Sequence, residues 1–455
     1  MFFGRGVRLS PVSTIIYKMN INLRVTKTIW SIAIPILLGT LWDPVVNIID
    51  TSIAGHFENE NYLASLTYGN NIISNFYWIF GSLGMAITGY TSQKSGRNQF
   101  NKISEVLVTS ILFMLIISIL ILIFQKPIWI LCSLIFNQSF EIEKITTEYF
   151  YIKILGVGPH LIIMILSAWF LGIKKPKVIF KTWTLMGTSH IIIVLLFTNY
   201  FNTKLNGIGY ATIISQWISL IYIITEIPPN LKKMNIKLTF NKLLPKKEIM
   251  FLGSSFGDLM IRTLLLQTVY LVTTYISSRL GATALASNGI FLQFIFFSFM
   301  TIDGPTHASA PLIGEYIGSK KIKEFKSIYD NALVSAVFTG LLFTLIYLTL
   351  GKNLINLITN IEIVRLESYK YIMIISIIPV ISSLAFQLDS TFSGMLKTKE
   401  MRNTVLYSTI IFLLLAYFLT QLWGNYGLWI SHIVFLSLRG ILLKNYLNKY
   451  LKNLI

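Results

Sequence analysis

Charge and cysteine are what this sequence has least of. Of its 455 residues only 13% are Asp, Glu, Lys or Arg, while 54% are hydrophobic, and the mean hydropathy is +0.66. A water-soluble chain of this size could not cover itself with so few charges without exposing one large apolar patch, so a soluble fold is excluded. The single cysteine, Cys132, excludes an internal disulfide or a cysteine-based metal cluster and reads as a small buried apolar residue. No Walker loop, HExxH zinc pair or serine-centred elbow occurs where it could work. The chain is therefore not read as an enzyme, and any driving energy must come from an ion gradient or a separate partner. Residues 1–18 carry no sustained apolar core of the kind a cleavable signal peptide needs. They read as an extension ahead of MNINLRVTKTIW.

What is present is a series of apolar blocks about 20 residues long, the length that crosses roughly 30 Å of hydrocarbon as helix. The pattern predicts about twelve transmembrane helices, at 29–54, 66–91, 105–125, 149–172, 178–199, 207–225, 249–277, 284–311, 331–350, 369–394, 403–423 and 427–446. The net charge of +19 is then topological. The N-terminal arm, the even-numbered connections and the tail hold 26 Lys and Arg, against 6 in the odd-numbered connections. KKPK (174–177), the six lysines of 232–247 and KKIKEFK (320–326) are examples. These basic loops are read as positive-inside anchors at a lipid surface, not as nucleic-acid contacts, and both termini are expected in the cytoplasm.

The chain also repeats itself. Residues 62–102 lie without a gap on 284–324, so that Leu63-Ala64-Ser65 meets Leu285-Ala286-Ser287 and Gly96 meets Gly318. The same offset of 222 brings FLGIKKPK (170–177) onto FSGMLKTK (392–399). Six spans per repeat is an even number, so the two copies share one orientation about an axis near the membrane normal. The expected architecture is an all-α polytopic membrane protein of two six-helix lobes. Its parts are an arm (1–28), an N-lobe (29–225), a basic linker (226–248), a C-lobe (249–446) and a tail (447–455). Such a duplicated bundle encloses a midplane cavity between its halves, which favours a transporter over a receptor or a membrane enzyme.

Ionisable groups inside spans cost about 2.5–3.5 kcal/mol each on insertion scales and should face protein or water. All the acids deep in spans are aspartates: Asp43, Asp50, Asp258, Asp303 and Asp389. In LWDPVVNIIDTSIAG (41–55), Asp43, Asn47 and Asp50 fall on one helical face. Pro44 removes the donor that would reach the carbonyl of Thr40, which places a bend there. Two carboxylates in a low-dielectric stripe cannot both stay charged cheaply, so one is expected to carry a proton near neutral pH. Asp50 also fits a plain helix-end polar residue, and Asp43 fits a structural role beside the proline. Asp258 and Arg262, four apart, are expected to neutralise each other. Asp303 and His307 have the same spacing near Pro305 and Pro311, in a helix expected to be broken there. They suit a proton relay or a local structural pair. Asp389, beside Ser390 and Thr391 in a span kinked by Pro379, is expected to line a cavity. His190, alone in the fifth span, reads as a hydrogen-bonded packing residue.

IPILLGTLWDPVVNIIDTSIAGHF, YLASLTYGNNIIS and TGYTSQKSG together resemble the first two helices of multidrug and toxic-compound extrusion (MATE) transporters. IRTLLLQTVYL, LGATALASN, IDGPTHASAPLIGEYIG and FQLDSTFSGMLKTKEMRN are similar to the DinF-like branch of that family. The resemblance covers about residues 29–440. It implies export of amphipathic, often cationic organic compounds across a bacterial inner membrane by a monomer embedded in lipid, against entry of protons or sodium, with no other cofactor. It sets Asp50 on the family's coupling aspartate, and Thr212 on a sixth-helix threonine that joins it in a sodium site. The fifth-helix asparagine and aspartate of that site fall here on His190 and Val194, and a second-helix arginine of close relatives falls on Gly84. Proton coupling through Asp50, with His190 or Asp43, is therefore favoured over sodium. The rivals are a flippase for lipids or lipid-linked sugars, which needs a cavity rich in Arg and Lys where only Arg262 and Lys153 are candidates, and a non-transporting channel or scaffold.

Overall fold

The computed structural model describes residues 21–136, 139–201, 203–235 and 243–452. The expected N-terminal extension, the middle of the linker and the last three residues of the tail lie outside them. Twelve helices among the described residues are long and apolar enough to cross a membrane. In the N-lobe they are Leu23–Gly55, Asn61–Gly96, Phe100–Ile123, Phe140–Gly172, Pro176–Asn199 and Lys204–Lys233. In the C-lobe they are Lys246–Leu280, Ala282–Gly318, Ile322–Ile358, Glu362–Met395, Thr398–Trp423 and Asn425–Lys452. In lipid each backbone donor must find its acceptor within the segment, and a helix does this for any apolar run. Among the described residues side-chain caps are few; Asn22, accepting from the Arg24 amide at 2.9 Å, caps the start of the first span. Eleven of the twelve segments expected from hydropathy lie wholly inside these helices, and the third runs two residues too far. A helix at Gln125–Phe136, with Pro127 in its first turn, connects the third and fourth spans and was not expected.

The two lobes differ in continuity. The first span is split at Leu41 into Leu23–Thr40 and Trp42–Gly55, with Pro44 in the first turn of the second piece. The second span is split between Gly81 and Gly84, and the fourth by a 3-10 turn at Ile154–Gly156. The C-lobe spans are each one helix. The eighth runs from Ala282 to Gly318 through both Pro305 and Pro311, which corrects the expected break. Each proline removes one bond, and the helix is held across the gap by close packing: Gly304 leaves room only for Leu37 of the first span, whose side-chain carbons would lie 2.5 Å from an added Cβ. At the end of the bundle away from the linker, single glycines with positive φ turn the chain between spans, Gly281 at 116° and Gly424 at 55°.

Contacts between the lobes gather at the linker end, and the internal repeat is visible in them. A Cβ on Gly96 would lie 2.1 Å from the carbonyl oxygen of Glu315, and one on Gly318 would lie 2.3 Å from that of Gln93. Gln93 and Glu315 are themselves 222 apart, as are Gly96 and Gly318. The second and eighth spans thus cross reciprocally at the pseudo-twofold axis, each lending a glycine for the other's backbone to rest on. The same relation recurs within each lobe, where Gly172 seats against the carbonyl of Thr88 and Gly394 against that of Ala310. Around this crossing Lys174 Nζ meets Glu315 at 2.6 Å, Lys94 Nζ meets Glu248 at 3.0 Å, and Gln93 donates to the Gly394 carbonyl at 2.9 Å. Removing the lysine of the half-buried Lys174–Glu315 pair, by Lys174→Ala, is expected to change stability by about 1 kcal/mol. Thermal unfolding in detergent measures this.

Candidate transport site in the N-terminal lobe

The lower half of the first span is fixed against the fifth by an aromatic ring. Gly187 leaves space for the Trp42 indole, which an added Cβ would approach to 2.5 Å, and Trp42 Nε1 donates to Thr184 Oγ1 at 3.1 Å. One turn beyond Gly187 stands His190. Its Nε2 lies 2.8 Å from Asp50 Oδ1, and both side chains are almost fully buried, at 4% and 3% exposure. His190 is therefore the hydrogen-bonded partner of Asp50 and not a packing residue apart from it. Asp43 and Asn47, on the same face of the first span, are exposed. Of the polar stripe read from the sequence, only Asp50 is brought into the protein interior.

The walls around the pair come from the second, fourth and sixth spans. Asn70 Oδ1 accepts from Tyr149 Oη at 2.8 Å and also from Lys153 Nζ, which donates in addition to Tyr149 Oη at 2.9 Å. Asp50 lies within electrostatic reach of both Tyr149 and Lys153. Further along, Tyr77 stacks on His160 with ring centroids 3.7 Å apart, and Gln216 lies 3.3 Å from each. Thr212 gives its hydroxyl to the carbonyl of Ile208 at 2.9 Å. Val194, at the position of the expected second carboxylate, is fully buried in an apolar cluster with Ala54, Leu66 and Ile208. The site thus offers Asp50 a histidine and a lysine, and packs hydrocarbon where another anionic ligand would stand.

The C-lobe charges pair differently from their spacing. Arg262 does not meet Asp258; its Nη2 donates to Asp389 Oδ2 at 2.7 Å, and Arg439 of the twelfth span binds the same oxygen. Asp258 is held by Arg402 at 2.6 Å and by the Thr398 hydroxyl at 3.0 Å. The helix rotates Arg262 toward the tenth span, and a partner across helices wins because both groups are buried and need full compensation. Asp389 is accordingly not exposed to a cavity, whereas its neighbour Ser390 does line one. Replacing Arg262 by methionine removes one charged hydrogen bond while Arg439 still compensates Asp389. It is expected to cost about 1.5–3 kcal/mol, read as earlier thermal unfolding in detergent. Asp303 and His307 do face each other, at 3.6 Å, and both are part-exposed. His307 lines a cavity of about 180 Å³ between the lobes, together with Gly81, Gly84, Met85, Trp183 and Ser390. Gly84, on which a second-helix arginine of close relatives falls, is tightly seated: an added Cβ would lie 3.0 Å from that of Ala168.

Sequence reasoning missed Arg439, Arg402, Asn70 and Tyr149. Arg439 was legible in principle, as an arginine deep in the last span that requires an acidic partner.

A two-lobed, twelve-helix bundle with a polar site buried in one lobe and a cavity between the lobes is the architecture of an alternating-access transporter. The MatE family profile matches residues 35–195 and 259–420, one copy in each lobe, and the chain belongs to this family of membrane transporters. It is 25% identical over 428 residues to the DNA damage-inducible protein F of Escherichia coli (strain K12), covering 94% of this chain and 93% of that protein. Its fold is that of the Vibrio cholerae MATE transporter VcmN in the bent form, with a TM-score of 0.84, 17% identity, and coverage of 95% of this chain and 98% of that one. It is likewise that of a MOP superfamily transporter from Pyrococcus furiosus, with a TM-score of 0.87, 15% identity, and coverage of 94% and 96%.

Proposed function

We propose that the protein is a proton-coupled antiporter that exports amphipathic, often cationic organic compounds from the cytoplasm by rocking of its two lobes. One observation carries this reading: the buried contact of Asp50 with His190 at 2.8 Å. A carboxylate and an imidazole in hydrogen-bond contact, out of water, can exchange one proton without separating charge across the bilayer. Loading the proton changes the attraction between the first and fifth spans, and the split at Leu41 beside Pro44 lets the first span respond. A sodium ion at Asp50 would face His190 and Lys153 instead of further anionic ligands, and hard cations are held by oxygen. With the basic linker end read as the cytoplasmic side, the glycine crossing closes the bundle on that side.

The flippase reading draws no support from Arg262 and Arg439, whose charge is spent on Asp389. The test is reconstitution of the purified protein in liposomes with a fluorescent organic cation. An imposed pH gradient should drive accumulation, and a sodium gradient at fixed pH should not. Accumulation driven by sodium alone would replace the proton by sodium in this account.

A further inference from the structure

Lys153 takes no part in the hydrogen bond between Asp50 and His190, yet it is one of the most deeply placed cations among the described residues, 9% exposed. It ends the helix Phe140–Lys153, immediately before the 3-10 turn that divides the fourth span. The free carbonyls at a helix C-terminus favour a cation there, and a short 3-10 stretch within a helix marks a place where it can flex. Its ammonium is held by Asn70 Oδ1 and Tyr149 Oη and lies 5.2 Å from the centroid of the Tyr149 ring. Tyr149 is fully buried, and Gly69 makes the close approach possible, since an added Cβ would come within 2.6 Å of the Tyr149 ring. The lysine is thus anchored from the second and fourth spans, and among the described residues no carboxylate is bonded to it directly. A lysine this deep is costly unless an anion compensates it. The anion within reach is Asp50, across the site.

The groups facing this space can be enumerated. The first span supplies Asp50; the second Asn70 and Tyr77; the fourth Tyr149, Lys153 and His160; the fifth His190; the sixth Gln216, which is uncharged. Asp43 is farther along the first span and exposed. The site therefore holds one anion, one fixed cation and a histidine in contact with the anion.

We propose that Lys153 is a positioning residue of the coupling site: its tethered ammonium supplies beside Asp50 the positive charge that a bound metal cation would otherwise supply, and so confines coupling to protons. This rests on the proton-coupled reading above. With Asp50 ionised and His190 neutral the site is already balanced by Lys153, and an incoming proton raises its charge to +1. That proton is held less tightly than it would be without the lysine, which eases its release on the opposite side. At an effective dielectric of about 20, a unit charge across a buried site shifts a neighbouring proton equilibrium by about one pK unit, so removing the lysine should move the pH dependence of transport by that amount.

The experiment compares the natural protein with Lys153→Met and Lys153→Arg in liposomes, recording pH-gradient-driven transport of a fluorescent organic cation as a function of bath pH. Lys153→Gln provides a second neutral substitution if the methionine variant does not reconstitute. The neutral variants should shift the midpoint of the pH profile upward by about one unit, and Lys153→Arg should hold it near the natural value. A purely structural role would lower the rate at every pH without moving the midpoint. A neutral variant whose midpoint coincides with the natural one overturns the proposal, as does an arginine variant that shifts as far as the neutral one. Neither result touches the proton-coupled reading, which fails separately if the natural protein is driven by sodium.

Discussion

Asp50→Asn should reduce pH-gradient-driven accumulation of substrate by at least about 100-fold while leaving the protein folded. Asparagine has the size of aspartate and can still meet His190 across the 2.8 Å contact, so packing between the first and fifth spans is preserved. What it cannot do is carry charge. Removing the charge of one partner from a buried, hydrogen-bonded pair costs about 3 kcal/mol of interaction, and asparagine cannot take up or give back the proton. A difference of that size corresponds to roughly two orders of magnitude in an equilibrium or a rate. Binding of substrate, measured by fluorescence in detergent, should survive and lose its pH dependence. Loss of transport together with loss of a monodisperse folded protein would instead mark Asp50 as a structural residue.

The second large effect is expected far from the site, at the glycine crossing. Gly96→Leu places a side chain where the Glu315 carbonyl oxygen would be 2.1 Å from its Cβ. The obstacle is backbone, which cannot step aside as a flexible side chain can, so the overpacking cost falls at the upper end of its usual range, about 3 kcal/mol. Because Gly96 is snug only while the lobes are closed at the linker end, the cost applies to that arrangement alone. Its population should fall by a factor on the order of 100 against the alternative opened on that side. Ser92, fully buried and close enough to Gly314 for its Oγ to lie 2.0 Å from an added Cβ, is a reporter. In a Cys132→Ser background, Ser92→Cys should resist thiol labelling with Gly96 present and label readily in Gly96→Leu. The pseudo-symmetric Gly318→Leu should behave alike, because it meets Gln93 in the same way.

These two predictions differ in how readable their basis is in the sequence. The spans are legible because hydrocarbon imposes a length and an apolar content on each segment, whatever its neighbours. The repeat is legible because Gly96 and Gly318 were kept at an offset of 222, and the structure gives the reason: each seats the other's helix at the axis. Pair partners are another matter. Arg262 lies four residues from Asp258, yet bonds Asp389, 127 residues away. Spacing along one helix sets which residues share a face, and only tertiary packing decides what that face meets. His190 was placed against Asp50 by likeness to a family, not by any local pattern. The eighth span shows the opposite error, since Pro305 and Pro311 suggested a break that packing around Gly304 does not permit.

The central claim, that the Asp50–His190 pair carries the coupled proton, is tested most directly by following protons. A pH-sensitive dye is sealed inside liposomes holding the protein, a pH gradient is formed, and substrate is added in sodium-free buffer. The natural protein should dissipate the gradient on addition of substrate, and Asp50→Asn should leave it standing. Dissipation by Asp50→Asn at the natural rate, or dissipation by the natural protein only after sodium is supplied, would contradict the account.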